Sequence, residues 1–98
     1  MTIPGEETAA IDDHDLLGKI EMIVPANGRL RFYRIFLYKH IQTESWRVLR
    51  IFGKNYPRQF VRRCQGRFLT EEAARFSIAR KLALLIELGY VVDGRPTL

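Results

Sequence analysis

Residues 29–39, reading Arg-Leu-Arg-Phe-Tyr-Arg-Ile-Phe-Leu-Tyr-Lys, restrict the fold more than any other stretch of the chain. Long, aromatic and free of glycine and proline, they predict a β-strand. Successive side chains of a strand point to opposite faces. Tyr33, Ile35 and Leu37 therefore share one face, and Phe32, Arg34, Phe36 and Tyr38 share the other. The second set is mostly apolar, which is odd for a free surface. Either a helix covers it and Tyr33, Ile35 and Leu37 point outward, or an aromatic patch awaits a partner. Periodicity alone leaves both arrangements open.

The neighbouring segments extend this into a meander. Residues 16–24 alternate roughly through Leu16, Ile20, Met22 and Val24, predicting a short strand, and Pro25-Ala26-Asn27-Gly28 predicts the turn that follows. Residues 43–45 form a polar turn, 46–52 a third strand, 53–57 a loop and 58–64 a fourth strand, broken by Gln65-Gly66. Thr70 is placed to cap a helix, with Glu71 and Glu72 suited to the positive end of its dipole. Ala74, Ile78, Leu82, Leu85 and Ile86, with Ala79 beside them, form an apolar stripe at helical spacing, and Gly89 is the natural stop. Residues 90–92 return as a short edge strand. The expected fold is α+β: an antiparallel sheet of four to five strands with one long C-terminal helix packed across it. Residues 1–15 read as a disordered acidic tail, 16–93 as a single domain and 94–98 as a frayed end.

Ninety-eight residues with one cysteine suit a single core and exclude a disulfide framework or a Cys-rich zinc site. The longest apolar run, residues 82–86, is too short for a bilayer, and residues 1–10 have no secretory pattern, so a reduced cytoplasmic setting is expected. Charge is unevenly placed. Residues 1–24 carry six acids against Lys19 alone, whereas residues 29–67 carry nine arginines and two lysines against Glu44 alone. A block of that density attracts a polyanion or an acidic partner. The acidic tail could fold back over it and tune affinity.

Catalytic chemistry finds little support. The serines are Ser45 and Ser77, the histidines His14 and His40, and no nucleophile–base spacing or phosphate-binding glycine loop stands out. Cys64, near Arg62, Arg63 and Arg67, has neighbours that favour a thiolate, though a small core or edge residue is the simpler reading. No cofactor, no metal and no enzyme activity are expected.

Binding has more behind it. Arginine and aromatic residues interleave in Arg31-Phe32-Tyr33-Arg34, Trp46-Arg47, Arg50-Ile51-Phe52-Gly53-Lys54 and Arg58-Gln59-Phe60-Val61-Arg62-Arg63. Guanidinium forks suit phosphates, and aromatic faces stack on bases or sugars. The order of Phe32-Tyr33-Arg34-Ile35, the strand from Trp46 to Phe52-Gly53-Lys54, and Phe68-Leu69-Thr70-Glu71-Glu72-Ala73-Ala74 opening a helix that ends at Gly89-Tyr90 resembles a WGR domain. The resemblance covers residues 29–92, with Phe-Gly-Lys standing where that family has Trp-Gly-Arg. It implies a sheet with one helix across it and a nucleic-acid-binding role, without the catalytic domain that accompanies the module in poly(ADP-ribose) polymerases. By position, Phe52 would take the place of the stacking tryptophan and Lys54 that of the phosphate-contacting arginine. Gly53 would allow close backbone approach, and Arg50, Arg58, Arg62 and Arg63 would flank them by charge.

The expected function is a small stand-alone nucleic-acid-binding module that holds DNA, or RNA, largely independent of sequence through a basic, aromatic strand face. The alternative is an adaptor that docks an acidic partner protein, with a homodimer through the outward face of the second strand as a further form. No membrane association is expected.

Overall fold

The structure, a computed structural model, describes residues 11–26, 29–55 and 58–98. Its elements run β1 (His14–Ala26), β2 (Arg29–His40), β3 (Trp46–Asn55), β4 (Arg58–Phe68), α1 (Glu71–Glu87) and β5 (Val91–Val92). The α+β expectation holds: one five-stranded antiparallel sheet, in the order β4-β3-β2-β1-β5, with the C-terminal helix packed on it. The helix is 17 residues, so it is of moderate length rather than long. The expected tail falls partly outside the described residues, as 1–10 do, while His14 and Asp15 already belong to β1. The Asn27-Gly28 turn and residues 56–57 of the predicted loop also lie outside them, and Gly53 to Asn55 extend β3 instead.

The helix covers the face of β2 that carries Tyr33, Ile35 and Leu37, where Ile20, Met22, Trp46, Val48, Ala74, Ile78 and Leu85 complete a core. This reverses the first sequence alternative, in which those three pointed outward. The opposite set is not an open patch either. Phe32, Phe36 and Tyr38 are 3%, 5% and 2% exposed and join Leu49 and Ile51 in a second buried cluster, against which Ile11, Ile23 and Phe60 pack. Both faces of the central strands are thus interior, and the surface on which a homodimer was expected is buried within the chain.

Local chemistry explains the helix boundaries. The Thr70 hydroxyl accepts from the Ala73 amide at 3.1 Å, and Glu71 pairs with Arg75 one turn on at 2.7 Å. Leu88, Gly89 and Tyr90 donate back to carbonyls of the last turn, closing it. Ala74, Ile78 and Leu85 are buried as the stripe predicts, but Ile86 is 62% exposed and Ala79 is also outside. One residue beyond Leu85 turns a side chain about a quarter of the way round the helix, past the contact line.

The C-terminal residues expected to fray are instead bonded to β1. Thr97 donates its amide to the Lys19 carbonyl and accepts the Lys19 amide on its hydroxyl, both at 2.8 Å, and the Asp93 amide reaches the Glu21 carbonyl. Leu98 packs against the main core. The approach needs Gly18, since a Cβ there would lie 2.5 Å from the Thr97 carbonyl oxygen.

Candidate functional site

Register, rather than charge density alone, decides which cations meet. In β3 and β4, Ile35 of β2 faces Arg50, which in turn faces Arg63, so both arginines lie on the helix side of the sheet. Arg31 of β2 faces Lys54 on that same side, two residues from Tyr33 and Phe52. Ile51 faces Arg62 and Gly53 faces Phe60, placing Arg62 and Phe60 on the other side. The expected set therefore divides. Arg50, Phe52, Lys54 and Arg63 come together; Arg62 does not join them. Arg58 opens β4 opposite Asn55, and its side chain lies outside what is described.

The helix-side group is held by an aromatic cluster. Phe52 stacks on Tyr33 with ring centroids 4.9 Å apart and planes within 7°, and Tyr90 meets Tyr33 edge-on at 6.3 Å. Arg50 Nη1 donates to the Tyr33 hydroxyl at 3.1 Å, while Lys81 Nζ of α1 lies 6.0 Å from the same ring. One face of Phe52 is thus occupied by the chain's own Tyr33, unlike the free stacking surface expected from the resemblance. Gly53 likewise serves the chain itself: a Cβ there would run into the Gln59 carbonyl oxygen and lie 2.7 Å from Phe60 Cα. Its missing side chain admits β4.

Like charges directly opposite across a sheet repel. Here two such pairs, Arg31 with Lys54 and Arg50 with Arg63, share one face. The carboxylates are elsewhere: among the described residues, Glu21 pairs with Lys19, Glu44 with Lys39 and Glu71 with Arg75, and none pairs with these four cations. Arg50 Nε is buried without an acceptor among the described residues. Two clefts open on the same face. One, of about 340 Å³, is lined by Arg31, Phe52, Lys54, Gln59 and Tyr90. The other, of about 390 Å³, lies between α1 and the β3–β4 pair.

Sequence reading missed Arg80 and Lys81, which α1 brings to the edge of this surface, and Tyr90, which closes its aromatic cluster. For Lys81 the signal was present in the helix register, since it stands three residues after Ile78 and four before Leu85, whereas Arg80 lies well round the helix from that line. The remaining candidates have structural explanations. His40 Nδ1 accepts the amides of Gln42 and Thr43, so it ties down the β2–β3 turn, and His14 meets it edge-on. Cys64 is exposed on β4 opposite Leu49. Burial pushes the Tyr38 phenol up to about 12, with Arg62 pulling it down and Cys64 adding to the rise. No helix among the described residues is long and apolar enough to cross a membrane. No family model, curated protein or solved structure matches the chain.

Proposed function

We propose that this chain is a nucleic-acid-binding module, non-enzymatic and cytoplasmic, that holds DNA largely independent of sequence on the helix side of β2, β3 and β4. The observation that carries the reading is the double like-charge pairing of Arg31 with Lys54 and Arg50 with Arg63, without carboxylate partners among the described residues. Such an arrangement costs the isolated fold stability and is relieved by an anion. Phosphates in series are the anion that matches cations in series, and contacts of this kind position a backbone without reading bases. A divergent WGR kinship, with Phe52-Gly53-Lys54 in the signature place, is consistent with this reading and is proposed with it.

The test is anisotropy titration of a short labelled duplex at about 50 and about 200 mM salt. Affinity is expected to fall steeply with salt. In Lys54→Ala/Arg63→Ala the slope of log affinity against log salt should drop by roughly one to two units. Arg62→Ala, on the opposite face, should change affinity less. Absence of binding even at the lower salt would overturn the proposal. It would favour instead an acidic protein partner, for which the open outer edge of β4, exposed from Val61 to Arg67, offers a strand to pair with.

A further inference from the structure

The cleft between α1 and the β3–β4 pair has a different character from the phosphate-tracking surface beside it. Its floor is apolar, made by the buried Ile35 and Val48. Arg50, Arg80 and Lys81 supply three cations to its walls, Gln65 and Ser77 supply neutral polar groups, and no carboxylate lines it. Arg50 enters with its orientation set, because Nη1 donates to the Tyr33 hydroxyl.

At the rim stands Phe76, 65% exposed on the middle of a capped helix. A large apolar ring beside three cations is poorly suited to water and well suited to a flat ring attached to an anion. At about 390 Å³ the cleft lies within the about 300–1,000 Å³ range of small-ligand sites. It can admit a mononucleotide but not a double helix, whose bases remain stacked inside unless flipped out.

We propose that this cleft holds one unpaired nucleotide, with its phosphate on Arg50, Arg80 and Lys81 and its base against Phe76. The inference rests on the nucleic-acid reading and adds to it a preference for single-stranded over fully paired substrate. The same chemistry is carried by a free mononucleotide and by a nucleotide within a strand, and the experiment separates the two.

Anisotropy is measured with a labelled single strand and with the duplex of the same sequence, using the wild-type chain, Phe76→Ala, Phe76→Leu and Phe76→Trp. Phe76 is exposed, so the variants should melt as the wild type does. The wild type is expected to prefer the single strand. Phe76→Ala should weaken single-strand binding roughly 5- to 100-fold, from the loss of one stacked base, and leave duplex binding within about twofold. Phe76→Trp should restore it and Phe76→Leu should not. Competition by adenosine monophosphate would support a site complete for the free nucleotide. Failure of that competition, with the Phe76 pattern intact, would support the nucleotide within a strand. If Phe76→Ala leaves single-strand binding unchanged, or Phe76→Leu matches wild type, the inference is overturned while salt-dependent duplex binding keeps the broader reading. Absence of binding to either strand form overturns both.

Discussion

Gly53 and Tyr38 illustrate how single residues here answer to the chain before they answer to a ligand. Because a Cβ at position 53 would collide with the Gln59 carbonyl and Phe60 backbone, Gly53→Ala should destabilise the fold by about 1 to 3 kcal/mol. Urea denaturation would register this, and any loss of ligand binding should track the loss of folded protein. Tyr38 is buried with its hydroxyl lacking a hydrogen-bond partner among the described residues. Removing an unsatisfied hydroxyl leaves stability near neutral pH unchanged or improves it by about 1 kcal/mol, so Tyr38→Phe should be tolerated. The variant also isolates a pH effect. With the folded-state phenol at about 12 against an ordinary 10.0, the unfolded chain loses its proton first as pH rises. The contribution of this group is fully present below pH 10, declines above it, and is gone once pH passes through about 12. Wild type should lose on the order of 2 kcal/mol relative to Tyr38→Phe across that window, measured by denaturant midpoints on both proteins.

At the scale of elements, β3 and β4 hold like charges face to face, and this links stability to binding with opposite signs. Arg63→Glu places a carboxylate opposite Arg50. It should raise stability by about 0.2 to 1 kcal/mol in thermal melts and lower affinity for duplex DNA in the same preparation. A fall in both would mean that Arg63 is needed for folding. The strands, the capped helix and the edge strand were legible from residue patterns because each has its own period and punctuation. The division of the cations was not. Which side Arg62 and Arg63 occupy depends on the pairing register of β4, and a slip of one residue exchanges them. That register carries a bulge where Trp46 faces Phe68 but Val48 faces Gln65, with Gly66 at φ 51° absorbing the extra residue. The break read at Gln65-Gly66 was therefore a kink within the strand, after which Phe68 returns to the helix side. The choice of covered face on β2 was equally hidden, because both faces are apolar and both turn out to be buried.

For the whole molecule, the strap from Asp93 to Leu98 is what completes the outer side of β1. β5 itself pairs with β1 only through Met22 and Ile23, and Thr97 continues the contact at Lys19. Removing residues 97–98 should therefore cost about 1 to 3 kcal/mol through lost hydrogen bonds and the lost Leu98 side chain. Hydrogen exchange should show the Lys19 amide deprotected more than amides in β3. The same strap has a consequence in time. The β1–β2, β2–β3 and β3–β4 hairpins join segments close in sequence, whereas Lys19 and Thr97 are 78 positions apart. Loops of that span close late, after local contacts have formed. A refolding chain should thus pass through an interval in which the meander is assembled and the β1 edge is still open, and encounters between chains during that interval would begin at Lys19 and Glu21.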